Sequence, residues 1–466
     1  MESAPASSKR VVLFALAATL FAVGGFALFR HRTGIHPAMA ATASAAIEPA
    51  KAAPQPNTPA TQKPVLPGAE VVTLPSPDTG EKKPETATAP AKPAAPAPTP
   101  VSTSELGASI TVARALLKSG KPADALEMIR DHSQSAQMAS ASAEDKTAAA
   151  LIEGRALLSQ NKIAEAKTKF EPLAFTPANT ESGADALLGN LWCQAGALSR
   201  CRDSELEQVR GGPDSWAAAT ASLEGARRAE EKAGGSVEAL ERARVMYQQA
   251  FESGKLDGEE TTQCIARMTA LANKLILDPK AACTSPKAVF HKVETGDSVE
   301  KIARKYKVNT GQIKRINKLN DKLIVRLGQN LKLVPGEVVY KVDRTRLTGT
   351  LYIDGVFIRQ YPVGIGPGNA TPVGSFTIEN KVMNPDWWYD GKKVPFGDAA
   401  NILGTRWMGF ANTSDNGQSA GLGVHGTAIP ESVPGRESKG CVRMHNADVE
   451  ELYDLMPQGG KVEIAN

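Results

Sequence analysis

Apolar positions change their spacing several times along this chain, and each change predicts a different kind of structure. From Val11 to Phe29 there is no charged residue, and a helix over that run spans about 28 Å at 1.5 Å per residue. That is the thickness of a bilayer's hydrocarbon layer, so residues 11–29 are expected to form a transmembrane anchor, with residues 1–10 as a cytoplasmic N-terminus. Lys9 and Arg10 flank one side, Arg30 and Arg32 the other, so the positive-inside rule orients it only weakly. "AMA" at Ala38–Ala40 has the small residues of a cleavage site. The length of the run favours an anchor over a cleaved signal, and either one exports everything after it. Residues 30–104 are rich in Ala, Pro and Thr and poor in large apolar side chains. Such a stretch cannot bury enough surface to offset its ordering entropy and is expected to be a disordered tether.

Helix formers dominate residues 105–283. "ALLKSGKPADAL" (Ala115–Leu126) and "ALLSQNKIAEAK" (Ala156–Lys167) align with each other. Each reads as a helix end, a turn at Gly120 or Asn161, and the start of a second helix. "VEALERARVMYQQAFESGKL" (Val237–Leu256) is a further degenerate copy. This is the pattern of stacked helix-turn-helix repeats, which present an interaction surface; an irregular all-α domain fits the pattern equally well.

Residues 290–335 change period twice. An alternating strand at His291–Glu294 ends in Thr295–Gly296, and Asp297 or Ser298 caps a helix whose inner face is Val299, Ile302, Ala303 and Tyr306. A second helix turns Ile313 and Ile316 inward, and a closing strand carries Leu331, Leu333 and Val334. Lys301, Arg304, Lys305, Lys314, Arg315 and Lys318 make the surface basic. From residue 337 to 466 the pattern is mostly β: "VVYKVD", "LTGTLYIDG", "VFIRQYPVGIG", "PVGSFTIENKV" and "KVEIAN" read as strands, and "ADVEELYDLM" (Ala447–Met456) as one appended helix.

Bulk properties narrow the chemistry. At 466 residues the chain is long enough for about three domains. A net charge of +4 does not call for a nucleic-acid partner, and export argues against one for the basic surface. Of five cysteines, Cys193, Cys201, Cys264 and Cys283 lie in the helical region, enough for two bridges of unreadable pairing. Cys441 is the one left over, in "ESKGCVRMHN". A thiol attacks as thiolate, so it needs a base or a neighbour that lowers its pKa. His425 lies upstream, with the turn-rich Ala428–Lys439 between them. Gly440 removes bulk before the sulfur, and backbone N–H groups at Gly440 and Cys441 suit a developing oxyanion. Lys439 and Arg443 add positive charge that favours the thiolate. A metal site of His425, Cys441 and His445 is the competitor, but it lacks a fourth ligand or a CxxC pair.

These motifs carry resemblances. "VETGDSVEKIA", "INKLN" and "LGQNLKL" resemble a LysM module. That implies a βααβ fold binding N-acetylglucosamine-containing glycans in a groove between Gly296, Asp297 and Ser298 on one side and Asn317 to Leu319 on the other. The helical stretch resembles tetratricopeptide-type repeats, imperfectly. "HGT" (His425–Thr427), "SKGCVRM" (Ser438–Met444), "ATPVGSFTI" (Ala370–Ile378) and "NILGTRWMGF" (Asn401–Phe410) together resemble the L,D-transpeptidase catalytic domain.

The resemblance to the L,D-transpeptidase domain implies a β-sandwich-like fold with Cys441 as nucleophile and His425 as general base and acid. Gly426 would orient the histidine ring through its carbonyl, and Gly440 with Cys441 would form the oxyanion hole. Ser438 and Arg443 would shape the substrate loop. Lys439 stands where the family often has histidine. The implied reaction joins diaminopimelate residues of two peptidoglycan stem peptides through a thioester, without metal or other cofactor; water or a protein amine as acceptor would make a carboxypeptidase or a protein-to-wall ligase instead. Trp387, Trp388 and Tyr389 would be a lid or a structural anchor. The expected partners are stem peptides, glycan strands, an envelope protein on the helical region and the inner membrane, with the catalytic domain outside the cytoplasm. A non-enzymatic wall-binding scaffold is the rival from a different class.

Overall fold

The structure, a computed structural model, describes residues 105–133, 138, 140–389, 391–411 and 421–466. The expected anchor at 11–29 and tether at 30–104 lie outside these residues. Among the described residues no helix is long and apolar enough to cross a membrane.

The all-α region comprises α1 (Glu105–Lys118), α2 (Pro122–Ser133), α3 (Ala143–Ser159), α4 (Ile163–Phe170), α5 (Glu181–Ala195), α6 (Asp203–Arg210), α7 (Trp216–Lys232), α8 (Val237–Glu252) and α9 (Gly258–Leu271). The two aligned stretches each form a helix–turn–helix, α1–α2 and α3–α4. Their turns take left-handed backbone at Gly120 (φ 74°) and Asn161 (φ 58°), the conformation glycine and asparagine accept best. Ser142, Thr180, Ser215 and Ser236 cap helix starts by accepting a backbone N–H. The bridges that four cysteines would allow are not formed: Cys193, Cys201, Cys264 and Cys283 are free and buried. They serve as small core groups. Cys264 donates to the Tyr247 carbonyl and Cys283 to that of Pro286, each at 3.1 Å, and burial pushes the Cys264 thiol up to about 12.

The βααβ module follows as β1 (Val289–Lys292), α10 (Val299–Tyr306), α11 (Thr310–Ile316) and β2 (Asn330–Leu333), with β1 antiparallel to β2. Ser298 is the cap; Asp297 instead takes His291 Nε2–H and the Glu294 N–H, each at 2.8 Å. Val299, Ile302, Ile313, Leu331 and Leu333 are buried as their spacing requires.

The last region is built on an eight-stranded sheet in the order β11-β10-β9-β6-β12-β3-β4-β5. Its strands are β3 (Val338–Asp343), β4 (Thr348–Ile353), β5 (Val356–Pro362), β6 (Gly374–Met383), β9 (Arg406–Phe410), β10 (Gly423–His425), β11 (Val442–Arg443) and β12 (Lys461–Ala465). A small hairpin, β7 (Trp387–Tyr389) and β8 (Lys392–Val394), stands apart from the sheet. The helix α12 (Asn446–Leu455) buries Val449, Leu452 and Leu455 completely.

The three regions share one core. Tyr247 and Ile276 of the helical region, Ile316 and Val334 of the module, and Tyr340 and Leu452 of the β region belong to a single apolar cluster. Polar side chains lock the joints. Lys332 of β2 is fully buried, its ammonium donating to the carbonyls of Leu275 (2.7 Å) and Asp278 (2.9 Å) at the end of the helical region. Gln248 of α8 bonds both the Gly355 carbonyl (2.6 Å) and the Phe357 N–H (3.1 Å) at the β4–β5 turn. Asn309 and Arg315 of the module grip the end of α12. Much of the basic surface expected on the module is therefore engaged: Arg315 pairs with Asp454 (3.0 Å), Lys314 with Asp321 (2.6 Å), and Lys301 donates to the Gly296 carbonyl (2.7 Å).

Candidate functional site

Strand pairing brings the two candidate residues together. β10 runs parallel to β11, with Val424 opposite Val442 and His425 opposite Arg443. His425 and Arg443 therefore leave the sheet on one face, and Cys441, just before β11, lines the same cleft of about 720 Å³. The loop between them did not need to be short: the parallel register alone sets their approach.

His425 is buried and its tautomer is fixed. Nδ1 lies 2.6 Å from the Gly426 carbonyl, which can only accept, so Nδ1 carries the proton and Nε2 keeps its lone pair. The Trp407 ring stacks on the imidazole at 6.0 Å between centroids, with 27° between planes. Burial pushes the pKa of His425 down to about 4, against the pull of the Gly426 carbonyl; Arg443 adds to the fall.

Cys441 is partly exposed, its Sγ 3.8 Å from the Gly421 carbonyl. Burial raises its pKa; the Gly423 N–H and the Arg443 guanidinium oppose that rise without cancelling it. Burial thus favours the neutral form of both the thiol and the imidazole that share this cleft. Arg443 favours the thiolate as the sequence suggested, but desolvation outweighs its pull. Proton transfer has to accompany attack.

The loop before the sulfur is tightly constructed. Ser438 Oγ donates to the Cys441 carbonyl (2.7 Å) and accepts the Gly440 N–H (3.2 Å), so this serine braces the loop and the Gly440 N–H is engaged in this state. Gly440 sits at φ 126°, and a β-carbon there would lie 2.6 Å from the Ala370 carbonyl oxygen. Only glycine fits. Lys439 is exposed at the cleft's rim. Arg443 is buried, its Nε has no protein partner, and no carboxylate pairs with it among the described residues.

Trp387 and Trp388 of the β7–β8 hairpin wall the cleft, and Trp388 is 68% exposed, so that ring is not a core anchor. Asn401 fastens it, donating to the carbonyls of Pro385 (2.9 Å) and Val394 (3.2 Å). His445, the third ligand of the metal alternative, is not among the cleft residues. No group of three His, Cys, Asp or Glu able to hold a metal occurs among the described residues.

Sequence reasoning missed Gly423, Trp407 and Asn446. Asn446 Oδ1 accepts the N–H groups of Thr405 (3.2 Å) and Thr427 (3.1 Å), and its Nδ2 donates to the Thr427 carbonyl (2.9 Å). The only signal for it was a polar residue at a helix start, which is too common to single out.

In the βααβ module the five expected glycan-contacting residues fall on two loops. Gly296 has φ 88°. Ser298 Oγ accepts the Lys301 N–H (3.3 Å), and Asn317 exchanges bonds with the Lys332 N–H (2.7 Å) and carbonyl (2.8 Å). Leu319 packs on the module's core. With Asp297 held by His291, the polar side chains here brace the loops.

Two regions of the chain are similar to known families. Residues 337–464 match the YkuD family, described as the L,D-transpeptidase catalytic domain, and residues 291–334 match the LysM domain. YqjB of Bacillus subtilis, assigned by name to the L,D-transpeptidases, is 34% identical over 141 residues, 30% of this chain and 77% of that protein. YcfS of Escherichia coli, with the same assignment, is 27% identical over 43% of this chain and 68% of its own length. A crystal structure of an L,D-transpeptidase from Mycobacterium tuberculosis is 21% identical over 30% of this chain and 63% of that one, with a TM-score of 0.23.

Proposed function

The chain belongs to the L,D-transpeptidase family, and from that premise we propose that it cross-links peptidoglycan through a thioester on Cys441. The observation that carries this reading is the shared cleft of Cys441 and His425, with the imidazole's Nδ1–H committed to Gly426 and Nε2 left to take a proton. As Sγ attacks the carbonyl of diaminopimelate in a donor tetrapeptide, the thiol proton passes to Nε2. The C–N bond to the terminal D-Ala then breaks, and His425 returns the proton to the departing amine. The side-chain amine of diaminopimelate on a second stem attacks the thioester, loses its proton to Nε2, and the C–S bond breaks to restore the thiol.

Neighbouring residues suit the substrate. The Arg443 guanidinium, which no carboxylate pairs with among the described residues, is placed for a carboxylate of the stem peptide. Lys439 adds positive charge at the rim, Ser438 keeps the loop in shape, and Trp387 and Trp388 shield the thioester from water. The Cys441 N–H and, once Ser438 releases it, the Gly440 N–H stabilise the oxyanion. A carboxypeptidase or protein-to-wall ligase differs only in the acceptor, which loop shape decides.

The LysM module holds glycan through the loops at Gly296–Ser298 and Asn317–Leu319, raising the local concentration of stems. The substrate is a polymer outside the cytoplasm, so residues 11–29 serve as an inner-membrane anchor, and the helical region receives an envelope protein. Incubating the protein with purified disaccharide-tetrapeptides and weighing the products tests the reading. Dimers lighter by one D-Ala, absent with Cys441→Ala, are expected. A wild-type protein that neither forms them nor is acylated by a carbapenem supports the non-enzymatic scaffold.

A further inference from the structure

We infer that the LysM module is a working part of the catalytic centre: it holds one end of α12 while Asn446, a positioning residue at the other end, holds the segment that orients His425. This rests on the reading of Cys441 and His425 given above.

At the N-terminal end of α12 the Asn446 amide makes three hydrogen bonds, to the N–H groups of Thr405 and Thr427 and to the Thr427 carbonyl. Two backbone segments close around it. A β-carbon on Gly404 would lie 2.3 Å from Asn446 Oδ1, and one on Gly426 would lie 2.2 Å away. Gly426 is the residue whose carbonyl fixes the His425 ring. The amide therefore clamps the peptide on either side of the His425–Gly426 hydrogen bond, without touching the reacting atoms.

At the C-terminal end the last carbonyls of a helix have no internal partner and carry partial negative charge. The LysM module supplies much of what satisfies them. Asn309 Nδ2 donates to the carbonyls of Asp454 (2.7 Å) and Met456 (3.1 Å), and Arg315 pairs with the Asp454 carboxylate (3.0 Å). Gly311 packs so closely that a β-carbon there would sit 2.7 Å from the Asp454 carbonyl oxygen. Lys381 of β6 adds its ammonium to the Tyr453 and Met456 carbonyls, each at 2.6 Å. Between the two ends Val449, Leu452 and Leu455 are fully buried. A ten-residue helix packed in this way transmits displacement along its axis as a rigid body, about 15 Å from end to end.

Misplacing a catalytic group by about 1 Å costs roughly a hundredfold in rate, so a loosened helix is expected to reach the chemistry. The test uses the full chain and reads the rate constant for acylation of Cys441 by a carbapenem together with kcat and KM for cross-linking. Asn446→Ala and Asn309→Ala are each expected to lower acylation and kcat at least about tenfold with KM changed less than twofold, and the double variant is expected to lose less than the product of the two. Asn309→Ser, which keeps a donor, should recover part of the rate. Melting curves report folding; if Asn446→Ala fails to fold, Asn446→Asp, which keeps the acceptor and loses the donor, takes its place in the cycle. Wild-type acylation by Asn309→Ala, multiplicative losses in the double variant, or a loss confined to KM would each overturn the inference. Acylation that proceeds normally without cross-linking in the wild type would instead count against the proposed acceptor while still reporting on the clamp.

Discussion

The imidazole of His425 is hydrogen-bonded to the carbonyl of the very next residue, Gly426, at 2.6 Å. That contact turns an ordinary histidine into a one-sided base: Nδ1 is spent, and only Nε2 can exchange a proton. Burial then keeps the ring neutral well below its usual range, with a pKa of about 4. The chemistry assigned to Cys441 depends on this pairing.

The pH dependence follows directly. Base function is lost only when the ring is protonated, so the acid limb of the acylation rate is expected near pH 4 rather than near 6.5. The same shift enters stability. The unfolded ring binds its proton near pH 6.5 and the folded ring only near 4, so stability is fully present above 6.5 and falls as pH drops through that window. A shift of this size contributes on the order of 3 kcal/mol. Chemical denaturation of wild type and His425→Gln from pH 7 to 4 checks it: the variant should lose distinctly less stability over that range, and parallel curves would count against the buried neutral ring.

At Gly440 both backbone angle and space require glycine. Gly440→Ala is expected to cost about 1–3 kcal/mol in stability and to displace the neighbouring sulfur. A melting curve and a carbapenem acylation time course read the two effects separately. Wild-type behaviour in both would mean that the loop relaxes freely around Ala370.

Arg443→Gln removes the guanidinium while keeping some hydrogen-bonding capacity. If this group receives a substrate carboxylate, KM for the tetrapeptide donor rises about tenfold, the worth of one charge-assisted contact. Steady-state kinetics decides; an unchanged KM removes Arg443 from substrate binding.

Lys332→Met should destabilise the whole chain rather than the LysM module alone, because it leaves the buried Leu275 carbonyl without this donor and removes the link to the Asp278 carbonyl. A loss of about 1–3 kcal/mol is expected, within one cooperative unfolding transition. A separate low-temperature melt of the module would argue against a shared core.

What could be read from the sequence was local. Ser298, Val299 and Ile302 announce a capped amphipathic helix by spacing alone, and the alternation in Val338–Asp343 announces a strand. The Cys441 motif stood out for the same reason, being contiguous. Contacts remote along the chain were not legible. Lys332 looks like a surface lysine until the helical region covers it, and Asp297 looks like a ligand-facing acid until His291 claims it. Parity paired four cysteines that the fold scatters through its core as separate small hydrophobes. For Cys441 the pull of Arg443 was legible and the opposing desolvation was not, since charge can be counted in a sequence whereas burial cannot. Asn446 lies 41 residues from Thr405 in sequence, and no local pattern marks it.

The most direct measurement is the intact mass of the protein quenched during turnover with a disaccharide-tetrapeptide. An adduct on Cys441 equal to the donor minus D-Ala, with one free D-Ala released for each adduct and each dimer formed and none of these seen in Cys441→Ala, is the predicted result. D-Ala released equally by Cys441→Ala, or no adduct and no D-Ala from the wild type, would contradict the account.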